Sequence, residues 1–222
     1  MPTALIIGAS RGIGLELVRQ YQADGWRVIA TARKEEDRSK LAALGVQALR
    51  LDVDSVDSIG ALGWNLDDEK LDVAFINAGL YGPRHDGIPT VDDFDSVMHT
   101  NVLAAMRLMP VVAPMVCEAK GKLAVLSSMM GSIGARHSTT GTLYRASKAA
   151  LNSVLKDSAI AYGPQGATCV AFHPGWVRTD MGGPGADLPV EDSVSGLRAT
   201  LAALDASANG TFLNYDGTPI PW

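Results

Sequence analysis

The stretch Gly8-Ala9-Ser10-Arg11-Gly12-Ile13-Gly14 constrains this chain more than any other. An apolar run at residues 3–7 precedes it. After it, Ile13, Leu17, Val18 and Tyr21 recur at helical spacing until Gly25 interrupts them. A strand, a glycine loop and a helix in that order form a cradle for phosphate. Gly8 turns the chain sharply out of the strand, Gly12 lets the backbone approach a pyrophosphate, and Gly14 lets the helix pack closely on the sheet. Ser10, Arg11 and Ile13 belong to the same loop, where free N–H groups of the first helical turn face the phosphates. The same glycines also suit a plain turn, but the flanking strand and helix favour a dinucleotide cradle.

Further short apolar runs lie at residues 27–31, 47–51, 73–76, 122–126, 168–172 and 211–213. The segments between them read mostly as helices, and a late one places Val194, Leu197, Leu201 and Leu204 together. Little alternation within the runs predicts a sheet buried on both faces. Strand–helix repetition predicts parallel pairing with right-handed crossovers. The expected architecture is one doubly wound Rossmann-type α/β domain over residues 1–222, with a seven-stranded parallel sheet flanked by helices. Its ligands should bind at the carboxyl ends of the strands.

Composition sets limits on this reading. Hydrophobic residues make up 47% and charged residues 19%, a balance that supports a packed core and not a disordered chain. The net charge of −5 disfavours non-specific binding to nucleic acid or to an anionic membrane. No secretory signal is visible and no stretch is expected to approach the length of a bilayer span, so a cytoplasmic protein is expected. Cys117 and Cys169 lack metal spacing and read as small apolar residues of a reducing compartment. His85, His99, His137 and His173 form no metal-binding pattern, and no metal is expected.

The second strand should end beside the adenosine ribose. A site selecting NAD would place a carboxylate there for the 2′-hydroxyl, but the residues are Ile29-Ala30-Thr31-Ala32-Arg33-Lys34. Arg33, with Arg11 in the glycine loop, is suited to clamp a 2′-phosphate, which points to NADP(H). The plainer alternative is two solvated arginines.

Downstream, Tyr144-Arg145-Ala146-Ser147-Lys148 opens a helical stretch, and the i, i+4 spacing puts Tyr144 and Lys148 on one face. A phenol with a pKa near 10 is a poor base at neutral pH, and an adjacent ammonium stabilises the phenolate. Tyr144 is thereby a candidate to exchange a proton with a carbonyl oxygen. The pair alone would read as an ordinary surface contact.

Together with that pair, Gly8-x-x-x-Gly12-x-Gly14, Asp52-Val53, Asn77-Ala78-Gly79, Asn101, Ser127-Ser128 and Pro174-Gly175-x-Val177-x-Thr179 follow successive strands in order. On these residues the chain resembles the short-chain dehydrogenases/reductases over its whole length. It looks most like their C-factor and sniffer-type carbonyl reductases, through residues 144–152, residues 173–181, and the terminal Tyr215-Asp216-Gly217 and Pro221-Trp222. The resemblance implies roles. Ser128 steadies the substrate oxygen, against the plainer reading of a serine bonding its own backbone at a strand end. Lys148 binds the nicotinamide ribose and depresses the Tyr144 pKa. Asn101 helps hold a water that links Lys148 to solvent, unless it only caps a helix irregularity. Asp52 and Val53 meet the adenine, Asn77, Ala78 and Gly79 pass the adenine ribose, and Pro174, Gly175, Val177 and Thr179 grip the nicotinamide carboxamide.

Two departures stand out. The family usually has threonine before the first glycine, where this chain has Ile7. The interval from Ser128 to Tyr144 is also longer than in many relatives, with residues 135–142 suited to a loop. The implied reaction is reversible NADPH-dependent reduction of a ketone or aldehyde. Rival readings are a C-factor-like signalling or redox-sensor protein and, less readily, a lyase or epimerase. A short loop at about 182–190 is expected to form a lid over a small-molecule carbonyl or alcohol. Apolar helical faces leave room for a homodimer or homotetramer.

Overall fold

The computed structural model describes residues 1–84 and 87–222; His85 lies outside them. Seven strands run parallel in one sheet: β1 (Thr3–Ile7), β2 (Arg27–Ala32), β3 (Gln47–Arg50), β4 (Val73–Ile76), β5 (Lys122–Leu126), β6 (Thr168–His173) and β7 (Thr211–Asn214). Their order is β3-β2-β1-β4-β5-β6-β7. The order reverses between β1 and β4, which pair from Ala4↔Val73 to Ile7↔Ile76. This switch point opens a crevice beyond the strands' carboxyl ends. The expected fold is the observed one.

The connecting helices are α1 (Gly12–Ala23), α2 (Glu35–Ala43), α3 (Val56–Asn65), α4 (Val91–Met98), α5 (Ala104–Ala119), α6 (Thr142–Tyr162) and α7 (Val190–Ala203). They cover both faces of the sheet. Leu5, Ile7, Ile76 and Val125 pack with Leu108, Val112, Leu151 and Leu155 on one side. Ala4, Ile6, Phe75 and Phe172 pack with Leu17, Val18, Val194 and Leu197 on the other. Successive strand residues point to opposite faces, so a sheet covered twice needs the uninterrupted apolar runs seen in the sequence. Burying a side chain such as Phe75 stabilises the fold by roughly 2 kcal/mol.

One expectation is corrected. Residues Val91–Ala119 form a continuous 29-residue helical run that is long and apolar enough to cross a bilayer. Pro110 and Pro114 lie within it and disguise its length in the sequence, because proline ordinarily interrupts a helix. In the fold, Leu108, Met109, Val112 and Val116 of this run are core residues. The cysteines also differ from each other: Cys169 is buried, whereas Cys117 is only partly so, and both are free.

Candidate active site

The glycine loop takes its shape from contacts that exclude side chains. Gly8 has φ +84° and Gly12 has φ +53°, conformations in which an L side chain is strained. A Cβ on Gly8 would lie 2.9 Å from the Ala78 nitrogen, and one on Gly14 only 2.1 Å from the Gly8 carbonyl oxygen. Asn77 Nδ2 donates to that same oxygen at 2.6 Å, tying the end of β4 to the loop. Ile7, where a threonine was the family expectation, is fully buried in the core. Thr31 of β2 supplies a hydroxyl nearby, its Oγ1 accepting from the Gly8 N–H at 3.2 Å.

Beyond this loop runs a cleft of about 680 Å³. It brings together Gly8, Ser10, Arg11, Gly12, Ile13, Arg33, Asp52, Val53, Asn77, Ala78, Gly79, Tyr144, Lys148, Pro174 and Thr179 from the sequence-based set. Gly14 does not line it but lies beneath, where it permits the close approach. Arg33 is exposed at the end of β2. Arg11 reaches across the cleft, and its Nη1 meets Asp180 Oδ2 at 2.5 Å; both side chains are exposed.

A second cleft of about 540 Å³ opens beside the first. Ser128, Gly175 and Val177 line this one, together with Tyr81, Arg84, Met129, Met130, His173 and Trp176. Tyr144, Ile13, Ser127, Pro174, Thr179 and Met181 border both clefts. Tyr144 therefore sits on the seam.

The seam is built from the first turns of α6. Tyr144 is nearly buried and its ring stacks on Tyr81, with centroids 4.7 Å apart. Burial pushes its phenol up to about 12, while the hydrogen bond with Ser128 works against that rise. Ser128 also accepts from the Met130 N–H at 3.1 Å, so it caps the short 3-10 turn Met129–Gly131 as well as facing the phenol. Lys148 is 4% exposed, and its Nζ donates to the Leu126 carbonyl oxygen at 2.8 Å. Burial pulls this ammonium down to about 8. The expected depression of the Tyr144 pKa by Lys148 is not what this structure displays. Nζ lies 5.6 Å from the Tyr144 ring centroid, and desolvation dominates both groups.

Asn101 sits in a π-helical turn, His99–Leu103, between α4 and α5. Its Oδ1 accepts from the Leu80 N–H at 2.8 Å; its Nδ2 donates to the Leu80 carbonyl at 2.8 Å and to Ser147 Oγ at 2.9 Å. The side chain thus clamps the segment after β4 onto α6. Gly79 fits between the two heads: a Cβ there would lie 3.2 Å from Asn101 Oδ1 and 3.4 Å from Lys148 Nζ.

The loop expected at about 182–190 belongs to a longer one. Arg178 N–H donates to the Leu188 carbonyl at 2.9 Å, and Leu188 N–H to that of Trp176 at 3.3 Å, so residues 176–188 close on themselves. Trp176 Nε1 donates to the Gly182 carbonyl at 2.9 Å. Sequence reading missed Tyr81 and Arg84, which join this loop to Tyr144. Arg84 lies over the Tyr81 ring at 5.3 Å, and its Nη2 donates to the Met181 carbonyl at 2.7 Å. Their position shortly after β4, at a strand's carboxyl end, was the available signal. No group of His, Cys, Asp and Glu able to hold a metal occurs among the described residues.

Comparison with known proteins bears on this arrangement. A family model described as short chain dehydrogenase matches residues 2–187. The C-signal of Myxococcus xanthus is 36% identical over 165 residues, which cover 73% of this chain and 99% of that protein. Carbonyl reductase Sniffer of D. melanogaster superposes with a TM-score of 0.93 at 31% identity, covering 100% of both chains. A carbonyl reductase from Pseudomonas aeruginosa PAO1 in complex with NADP does so with a TM-score of 0.86 at 35% identity, again over 100% of both.

Proposed function

The chain belongs to the short-chain dehydrogenase family, and on that premise we propose that it is an NADPH-dependent reductase of ketones or aldehydes, reversible, with Tyr144 as general acid and base. The observation that carries this reading is the place of Tyr144, on the border of two clefts with Ser128 against its phenol.

The first cleft suits a dinucleotide because its glycines leave no room for side chains at the loop. Gly8, Ser10, Gly12 and Ile13 would hold the pyrophosphate, with Gly14 permitting the helix to approach, and Arg11 would join Arg33 at the 2′-phosphate. Asp52 and Val53 would meet the adenine, and Asn77, Ala78 and Gly79 its ribose. Tyr144 and Lys148 would hold the nicotinamide ribose, and Pro174, Gly175, Val177 and Thr179 its carboxamide. When bound, a reduced nicotinamide supplies the hydride. Tyr144 delivers the proton to the carbonyl oxygen, and Ser128 Oγ–H bonds the same oxygen as charge develops there. Asn101 holds Leu80 and Ser147 and so keeps Gly79 against Lys148.

Arg33 is the basis for choosing the phosphorylated cofactor. Arg11 has Asp180 as a partner, while Arg33 has no ion pair among the described residues. Arg33→Ala is expected to raise KM for NADPH about tenfold and to leave KM for NADH nearly unchanged, as loss of one charge-assisted contact requires. Equal effects on both cofactors would remove the assignment.

The function itself is tested by NADPH oxidation with a panel of aldehydes and ketones, with the alcohol product quantified. Stoichiometric alcohol supports reduction. The likeness to C-signal favours a second reading, a dinucleotide-binding signalling or redox-sensor protein. NADPH binding without turnover of any carbonyl compound would overturn the first reading in favour of the second.

A further inference from the structure

The second cleft is largely apolar and, among the described residues, carries one charged side chain. Met129, Met130, Trp176, Val177 and Met181 supply much of its wall, and Arg84 is its one arginine, lysine or carboxylate side chain among the described residues. His173, also on this wall, is kept neutral, since burial pulls its imidazole down to about 4. The whole chain carries a net charge of −5, so this cation stands against the overall balance.

Arg84 is also held in place. Its guanidinium stacks over Tyr81, and Nη2 is tethered to the Met181 carbonyl. Nε and Nη1 make no hydrogen bond among the described residues, which leaves donors free on a fixed planar fork. Tyr81 in turn stacks on Tyr144. The two stacking distances laid end to end put the guanidinium at most about 10 Å from the Tyr144 ring. That is the scale of a benzene ring with substituents at opposite ends.

We propose that Arg84 is a specificity residue that binds a carboxylate at the far end of the substrate from its carbonyl, so that the preferred substrates are aromatic or apolar oxo acids. This rests on the reductase reading above. Arg84 is exposed at the rim of this cleft, and its prior tether lowers the ordering needed to form the charge-assisted contact.

The test compares kcat/KM for 4-carboxybenzaldehyde and its methyl ester, with NADPH, in the native enzyme and in Arg84→Gln, Arg84→Lys and Arg84→Glu. The readout is the ratio of the two substrates within each protein. The native enzyme should favour the carboxylate about tenfold; Arg84→Gln should bring the ratio near unity, and Arg84→Lys should restore part of it. Arg84→Glu should instead favour 4-(trimethylammonio)benzaldehyde over the carboxylate, which a merely structural arginine would not produce. A native ratio near unity, or a preference that survives in Arg84→Gln, overturns the proposal. If neither aldehyde is reduced, the reductase reading falls. Calorimetric titration of 4-(hydroxymethyl)benzoate then decides the role of Arg84. Binding that weakens about tenfold in Arg84→Gln supports it, whereas equal or absent binding overturns it.

Discussion

Tyr144→Phe lowers kcat for carbonyl reduction about a thousandfold, in the middle of the range for loss of a positioned general acid. The substitution removes one oxygen and keeps the ring, so stacking on Tyr81 survives and the seam between the clefts stays closed. NADPH affinity should therefore change far less than kcat. The pH dependence adds a sharper check. Burial holds the phenol near 12, so its proton is present throughout the neutral range. Reduction, which consumes that proton, should be flat with pH there. Alcohol oxidation, which needs the phenolate, should rise as the solution becomes alkaline. Stopped assays in both directions, native against Tyr144→Phe, measure this directly. Reduction that declined through the neutral range, or that survived the substitution, would place the acid elsewhere.

Much of this site was legible because its residues sit where the chain must change direction. The inner strands, buried on both faces, announce themselves as apolar runs; the edge strand β3 is only partly buried, yet all seven were placed to within a residue at either end. The glycines were legible for the opposite reason: a side chain at Gly8 or Gly14 would meet backbone atoms. What escaped depends on contacts between distant segments. Nothing local in Arg84 says that its guanidinium will cover Tyr81, or that Met181, almost a hundred residues later, will hold it. Arg11 could be read as a phosphate ligand, but not as the partner of Asp180. At Asn101 only a helix irregularity was foreseen, not its π-helical form, since a run of helical residues does not reveal one extra residue in a turn. The influence of Lys148 on Tyr144 was misjudged because spacing conveys proximity and not desolvation. In the folded chain the burial of each group outweighs their attraction.

That burial makes Lys148→Met the substitution with the most divided outcome. Lys148 is 4% exposed and has one side-chain hydrogen bond among the described residues, to the Leu126 carbonyl. Its ammonium is pulled from 10.5 to about 8 on folding. Between those values the unfolded chain binds more protons than the folded one, so stability rises with pH across that window. Stability is lost as pH falls from 10.5 to 8, and below it the full penalty of a buried charge applies, about 3 kcal/mol. Methionine has similar length and no charge to bury. At neutral pH the variant should therefore resist urea better than the native protein, by up to about 3 kcal/mol. Its lead should shrink as the solution approaches the ordinary lysine range. Carbonyl reduction should nevertheless be lost, because the methionine cannot hold ribose hydroxyls. Urea titrations at the two pH extremes separate this from simple repacking: an advantage that did not vary with pH would come from packing alone. On the proposed reading NADPH gives the buried ammonium new acceptors, and it is then expected to stabilise the native chain far more than the variant. That outcome, an empty fold weakened and a loaded one strengthened by the lysine, is the one expected of a group placed for its ligand.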